Sequence, residues 1–231
     1  MNGVMIGEKH SYNDFGLILS SKVISPPEPK LYEVEVPLYD GSIDLTQAVT
    51  DEVKYKNRKI TLNFSVIDHR STWLEKISAI QNYLQGQRLK IIFDEDPYFY
   101  YIGRVSVDDW KTNKNIGSLV IVATVEPYKY SVNSSAVDWE WDIFDFEQGI
   151  INETGELIVS GERSITLICS KKRMFPTFTA SNAMTVTFDG ETYNLKAGSQ
   201  KIYDIFFVEG KNEMIFKGNG TVTIDYTWGS L

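Results

Sequence analysis

Two clusters of acidic and aromatic residues have the composition that catalysis of glycoside hydrolysis would require. They are DEDPYFYY, residues 94–101, and DWEWDIFDFE, residues 138–147. This chemistry needs only two carboxyl groups that face each other across the scissile bond. The candidate carboxylates are Asp94, Glu95, Asp96, Asp138, Glu140 and Asp142. Trp139 and Trp141 also make the second cluster similar to a sugar-stacking surface.

The local sequence around each cluster favours a structural interpretation. LKIIF and YFYYIGRVSV have the patterns of two strands, and DEDP between them has the composition of a turn, so Asp94–Asp96 would lie at a hairpin tip. An extended DWEWD segment would place its three acids on one face, which is typical of a solvated surface and not of an acid and base pair. We therefore predict no catalytic residues and no enzymatic activity.

Histidine, cysteine and glycine patterns give no support for a metal or cofactor site. His10 and His69 are far apart and match no metal-binding spacing, so we predict that both face solvent. Cys169 is the only cysteine, which excludes an intramolecular disulfide and a cysteine-based zinc cluster. It alternates with Ile165 and Leu167 and is predicted to be a core thiol. Phosphate-loop, calcium-loop and G-x-S-x-G motifs are also missing, and we predict no cofactor.

The charge of the chain argues against nucleic-acid recognition. The net charge is −8 over 231 residues, and an acidic chain does not attract phosphates. Residues 1–130 contribute 15 basic and 17 acidic side chains, and residues 131–231 contribute 8 and 14. The one basic cluster, KKR at 171–173, is predicted to be a solvated surface loop. No run approaches the roughly 20 apolar residues of a membrane helix, so we predict no membrane insertion.

Alternation of apolar and polar residues predicts β-strands through most of the chain. ITLNFSVI, SLVIVATV and GTVTIDYTW each place their apolar residues on one side. MTVTF-DG-ETYNL has the pattern of a hairpin with a two-residue turn. LYEVEVPLYDGSIDL predicts a second hairpin or an extended arm, with DG at 40 and 41 reversing the chain. SPPEPK, residues 25–30, is predicted to be a stiff connector because proline cannot form regular ladder bonds.

A single amphipathic helix is predicted at residues 72–85. Its apolar residues share one face, and we expect that face to be core; they are Trp73, Ile77, Ile80 and Leu84. Thr72 and Glu75 have the spacing of a capping box, and Gly86 suits the position that follows a helix.

A change in composition at SVNSSAVDW predicts a connector between two domains, residues 1–130 and 131–231. The second half contains strands separated by glycine or asparagine positions at 190, 198, 210 and 218–220, which we interpret as turns. The sequence thus predicts a mainly β protein with two β-sandwich domains, the first with one α-helix and an extended β-hairpin.

The order of these features across residues 12–130 resembles the distal tail protein (Dit) family of long-tailed bacteriophages, the siphophages. The matching segments are YNDFGLILS, a proline-containing link, VPLYDGSIDLTQ, YKNRKITLNFSV, WLEKISAIQNYLQGQRLKIIFDEDPYFYYIGRV and VEPYKY. The end of the chain, GNGTVTIDYTWGSL, is similar to the terminal strand of the family.

The resemblance implies a virion structural protein at the distal end of a phage or prophage tail, made in the cytoplasm of the host bacterium. In this family the N-terminal domain forms a hexameric ring that leaves a passage for DNA, and the C-terminal domain is a galectin-like β-sandwich. The implied partners are further copies of the chain, tail-tube or tape-measure-end proteins, the tail-tip hub protein and a receptor-binding protein of the baseplate. LYEVEVPLYDGSIDL would reach a neighbouring subunit.

Two other functions remain open on the sequence alone. The first is a carbohydrate-binding module that stacks sugars on Trp139, Trp141 or Trp228. Residues 131–231 contain no histidine, so the usual galectin site is absent from that half. The second is a glycosidase that uses the acids at 94–96.

Overall fold

The computed structural model describes residues 3–48, 51–66, 73–112, 117–132, 155–170 and 172–231. The chain divides into two compact units, Met1–Lys129 and Tyr130–Ser230. Within the described residues both units consist of antiparallel strands, and the first unit also contains a helix. The mainly β fold predicted from the sequence is confirmed. The galectin-like character of the second unit stays a prediction.

The first unit begins with short strands, followed by a small hairpin, a long strand, the helix and three further strands. In chain order these are β1 (Val4–Ile6), β2 (Lys9–His10), β3 (Leu17–Ile24), β4 (Glu33–Glu35), β5 (Ser42–Asp44), β6 (Arg58–Val66), α1 (Trp73–Leu84), β7 (Gln87–Phe93), β8 (Asp96–Thr112) and β9 (Gly117–Val125).

The main sheet of the first unit has the order β2-β1-β7-β8-β9-β6-β3. The period-2 patterns of ITLNFSVI and SLVIVATV are confirmed, since Ile60, Leu62 and Phe64 of β6 and Leu119 and Ile121 of β9 are all buried. These side chains form one core together with the apolar face of the helix. The strands therefore follow directly from local alternation, because each has one face on the core.

Helix α1 agrees with the prediction in its bounds and in its buried face. Trp73, Ile77, Ile80 and Leu84 are its buried residues, and Gly86 follows the helix with a φ of 71°, the left-handed conformation expected there. Thr72 of the predicted capping box lies outside the described residues. With 12 residues α1 is too short to cross a membrane, and no other helix in the described ranges is long and apolar enough.

The second unit is built around one long strand. β10 (Lys129–Ser131) begins at the last residue of the first unit, and the elements that follow it are β11 (Leu157–Cys169), β12 (Thr177–Ala180), β13 (Met184–Phe188), β14 (Glu191–Leu195), β15 (Gly198–Lys201), β16 (Gly210–Asp225) and β17 (Gly229–Ser230). The sheet order is β14-β13-β16-β12-β15, and β11 pairs with β16 along its whole length. A separate core of this unit includes Phe178, Phe207 and Phe216.

The predicted turn at residues 218–220 is wrong, because these residues lie inside β16 and pair with β11. Gly218 and Gly220 both have a φ of 146°, an extended conformation that essentially only glycine adopts. A Cβ atom on Gly218 would lie 2.7 Å from the Cβ of Met184. The two glycines are therefore required by close packing within the sheet and not by chain reversal.

The predicted hairpin MTVTF-DG-ETYNL is confirmed. β13 and β14 pair from Met184↔Leu195 to Phe188↔Glu191. Asp189 and Gly190 have φ values of 48° and 79°, as a type I′ turn requires at both of its central positions.

The prediction that Cys169 is a core thiol is confirmed, since only 3% of the residue is exposed. Burial raises the pKa of the thiol to about 11, although a hydrogen bond with Tyr226 opposes the shift.

At pH 8 only about one Cys169 thiol in a thousand would then be ionised, and the thiolate is the reactive form. Ellman's reagent should therefore label the native protein far more slowly than the urea-unfolded protein. Equal labelling rates would contradict the buried position.

Candidate interaction surfaces

The acids at 94–96 lie at a hairpin tip, as the sequence predicted. Phe93 pairs with Asp96, and the chain reverses at Asp94 and Glu95. Each acid contacts a base: Asp94 contacts His10 at 3.1 Å, Asp96 contacts Lys129 at 3.0 Å, and Glu95 pairs with Lys22. Partial burial lowers the pKa of Lys22, and the Asp96 carboxylate opposes this shift. These contacts give the acids a structural role in joining the tip to neighbouring segments.

The prediction that His10 faces solvent is wrong, since only 14% of its side chain is exposed. Its Nδ1 atom accepts hydrogen bonds from the backbone amides of Tyr12 and Asn13, both at 3.2 Å. Its Nε2 atom lies 3.1 Å from Asp94 Oδ1, and the amide of Gly3 donates to Asp94 Oδ2 at 2.7 Å. The error arose because strand β1, which lies between β2 and β7, brings residues distant in sequence together.

Several candidate residues lie outside the described part of the chain. They are His69, Asp138, Trp139, Glu140, Trp141 and Asp142. The remaining tryptophan of the predicted sugar-stacking set, Trp228, is half-buried, and its carbonyl oxygen accepts a hydrogen bond from the amide of Ser131 at 3.0 Å. In the described ranges no group of three His, Cys, Asp or Glu side chains has the geometry of a metal site.

The basic cluster KKR was predicted to be a solvated surface loop, but two of its cations also contact aromatic rings. Lys171 lies outside the described residues, but the other two residues of the cluster lie over aromatic rings. Lys172 Nζ lies 4.1 Å from the centre of the Tyr130 ring, and Arg173 Cζ lies 4.2 Å from the centre of the Phe206 ring. The aromatic rings thus hold these two cations by cation–π contact.

The arm, defined as residues 31–45, is a two-stranded hairpin outside the main sheet. Strands β4 and β5 pair only with each other, from Glu33↔Asp44 to Glu35↔Ser42. The alternation of Tyr32, Val34, Val36 and Leu38 with polar residues favours a strand up to Leu38, but β4 ends at Glu35 and a six-residue connection follows. Pro37 lacks the amide hydrogen that would extend the ladder. Gly41, with a φ of 82°, turns the chain near the predicted position.

The arm exposes many large apolar side chains. They are Leu31, Tyr32, Val36, Leu38, Tyr39, Ile43 and Leu45. Tyr32 is 64% exposed and Tyr39 is 60% exposed, while Leu38 is fully exposed. So many exposed apolar side chains within one short segment are typical of an interaction site, and an isolated two-stranded hairpin is at best marginally stable in water.

Polar contacts hold the two arm strands together. Ser42 Oγ donates to Glu33 Oε2 at 2.9 Å, and the amide of Tyr32 donates to Thr46 Oγ1 at 3.0 Å. The side chain and amide of Thr46 donate hydrogen bonds to Asp44 and lower the pKa of its carboxyl. Residues 31–45 contain four acids and no base, so the arm is both apolar and negatively charged.

The base of the arm is attached to the first unit by backbone contacts. Pro29 and Tyr55 form an isolated antiparallel bridge. The amide of Lys30 donates a hydrogen bond to the carbonyl oxygen of Lys54 at 2.7 Å, and the amide of Lys56 donates one to the carbonyl oxygen of Glu28 at 2.7 Å. SPPEPK belongs to no strand, as predicted, and its pairing is limited to this isolated bridge at its C-terminal end. Proline blocks only its own amide, and the carbonyl groups and neighbouring amides still pair.

These features define the class of protein that the fold represents, which is a two-unit β protein whose first unit carries a helix and an extended hairpin. No protein-family model and no curated protein sequence matches the chain.

The Dit protein (gp 19.1) of phage SPP1, described as a paradigm of the hub adsorption apparatus in phages that infect Gram-positive bacteria, is similar to the chain over 100% of both lengths. The TM-score is 0.68 and the sequence identity is 13%. The chain therefore has the fold of a distal tail protein, as the resemblance in sequence predicted.

Proposed function

We propose that this chain is a non-enzymatic structural protein of a phage tail tip. It acts as a hub subunit that connects the tail tube with the host-recognition apparatus. The observation that carries this proposal is the agreement of its fold with the SPP1 Dit protein along the whole of both chains. The ion-paired acids at the β7–β8 tip support a structural role, because their charges are already engaged within the first unit.

The properties of the arm support self-association in a ring, which is hexameric in the family that the sequence resembles. Its apolar side chains are exposed in the single chain, and two strands alone cannot bury them. Each subunit would place its arm on the same surface of the next copy. When the rotation that relates one copy to the next closes on itself, this repeated contact produces a ring. Burial of the arm on the neighbour would then remove its apolar surface from water.

The acidic character of the chain suits a ring with a passage for DNA. The net charge of −8 disfavours contacts with phosphate groups, and such contacts would slow a passing duplex.

The two compact units would act as separate domains, residues 1–130 in the ring and residues 131–231 as a galectin-like domain that holds other baseplate components. Each unit has its own core, which is the property that lets a domain fold alone. The partners on this proposal are tail-tube or tape-measure-end proteins, the tail-tip hub protein and a receptor-binding protein.

The combined substitution Leu38→Ala and Tyr39→Ala should abolish or strongly reduce self-association. Both side chains are exposed, so their loss should leave the fold of the single chain intact. Multi-angle light scattering over a range of concentrations would measure the mass. The matched control is Leu74→Ala with Ile158→Ala, which removes two other exposed apolar side chains. An oligomer that resists the arm substitutions would contradict the role of the arm.

Fragments divided at the proposed domain boundary should show which of the two units self-associates. Residues 1–130 should retain the self-association of the full chain, and residues 131–231 should be monomeric, because the arm belongs to the first unit. Light scattering on both fragments and the full chain would measure this, with circular dichroism to verify that each fragment is folded. A full-length oligomer whose association survives only in residues 131–231 would refute the ring assignment.

A further inference from the structure

The second unit contains a groove of about 700 Å³. It is lined by the middle of β11, the tip of the β13–β14 hairpin, the start of β16 and the segment from Asp204 to Val208. β13 pairs with β16 only at positions 214–217, so the hairpin tip leaves the start of β16 uncovered on that side. The groove belongs entirely to the second unit and shares no residue with the arm.

Aromatic rings line the groove and continue from it to the surface. Phe206 lies in the groove wall, and its ring centre is 6.2 Å from that of Phe175, which is 6.4 Å from that of Tyr203. Phe175 is 40% exposed and Tyr203 is 73% exposed. One of these rings already holds a cation on its face, the guanidinium of Arg173 over Phe206. The surface thus has the chemistry of a cation–π site.

The groove is also negatively charged. Its lining includes four acids and one base; these are Asp189, Glu191, Asp204, Glu213 and Lys211. Partial desolvation and the charges of Asp204, Glu191 and Asp189 raise the pKa of Tyr193, which lies among them. Within the described residues none of these three acids forms an ion pair with a base, in contrast to the acids at 94–96.

We propose that this groove binds an extended, arginine- or lysine-bearing segment of another tail-tip protein. Charge complementarity carries the choice of occupant: cationic side chains would meet the carboxylates at the hairpin tip, and their flat or apolar parts would stack on the exposed rings. An anionic polymer would be repelled, and a neutral saccharide would gain nothing from the charge. The inference rests on the proposed function, since it names the chemistry by which the second unit would hold a baseplate component.

The test uses the full chain and a short fluorescein-labelled peptide in which arginines alternate with Gly-Ser pairs. Matched peptides carry lysine, glutamine or glutamate in place of arginine, and fluorescence anisotropy measures their affinities. The groove variant is Asp189→Asn with Asp204→Asn; asparagine tolerates the φ of 48° at position 189. The control, Glu156→Gln with Glu162→Gln, changes the net charge equally on exposed residues outside the groove lining.

We expect the arginine and lysine peptides to bind, and the groove variant to weaken this binding about tenfold against less than about twofold for the control. Tyr203→Ala should also weaken the binding, while Ile158→Ala, which removes a side chain of similar exposure outside the groove lining, should not. Equal loss in both charge variants would show non-specific attraction and overturn the proposal. The proposal would also be overturned if neutral oligosaccharides or the glutamine peptide bound to the protein and Tyr203→Ala removed that binding.

The outcome separates this inference from the proposed function. Groove variants should leave the mass in light scattering unchanged, and the arm variant should leave the affinity for the arginine peptide unchanged. A variant that loses self-association but still binds the peptide has lost only the function of the arm. A variant that loses peptide binding but still self-associates has lost only the function of the groove.

Discussion

Replacing Trp73 with alanine should lower the free energy of unfolding by about 3 to 5 kcal/mol, as is typical for the loss of a large buried aromatic side chain. Only 5% of Trp73 is exposed, at the first residue of α1. Its indole occupies the space above Gly117, where a Cβ atom would lie 1.8 Å from Trp73 Cζ2. The substitution would therefore leave a cavity between the helix and β9, and urea denaturation would measure the loss.

The control for Trp73 is its neighbour on the same helix. Leu74 is 69% exposed, so Leu74→Ala should change the free energy of unfolding by less than about 0.5 kcal/mol. If Trp73→Ala unfolds at the same urea concentration as the parent and instead loses self-association, the face of α1 is a recognition surface and not core.

Replacing Gly218 with alanine should lower the free energy of unfolding by about 2 to 4 kcal/mol, because two costs add. The first is backbone strain, since a φ of 146° is nearly restricted to glycine. The second is overpacking, since the new Cβ would lie 2.7 Å from the Cβ of Met184. A Cβ atom cannot rotate away as the end of a long side chain can, so β13 or β16 must shift.

Gly190→Ala separates the two costs at Gly218. Gly190 also has a positive φ, 79°, but no atom lies within 4 Å of its Cβ position. Its substitution should therefore cost only about 1 kcal/mol, the strain of the left-handed conformation. Urea denaturation of both variants would compare them. Equal destabilisation would mean that Met184 yields without cost and that packing does not explain Gly218.

Elements with a strong local signal were predictable from the sequence. The four apolar positions of α1 repeat with the helical period, and those of β6 and β9 alternate, so each pattern specifies both the element and its buried face. The β13–β14 hairpin was equally predictable, because the Asp-Gly pair suits the two positive φ values of its turn.

The glycines of β16 show where such local reasoning fails. Glycine serves both chain reversal and close approach of neighbouring chains, and the sequence GNG is the same in either case. Which applies depends on Met184 and Ser181, whose atoms lie next to the Cβ positions of Gly218 and Gly220. These residues are more than thirty positions away in the sequence, so no window around the glycines contains the information.

The sequence by itself determined the β character of this protein, its helix, two of its hairpins and the placement of the 94–96 acids at a tip. All of these depend on residues close together in the chain, where side-chain periodicity and turn chemistry act directly. Only the tertiary structure decided the contact of His10 with Asp94, the exposure of the arm and the groove of the second unit. The groove combines residues from β11, the β13–β14 tip and the segment before β16, and pairing between distant strands brings them together. Burial and exposure of this kind are properties of the assembled sheets, because they depend on which surfaces neighbouring strands cover.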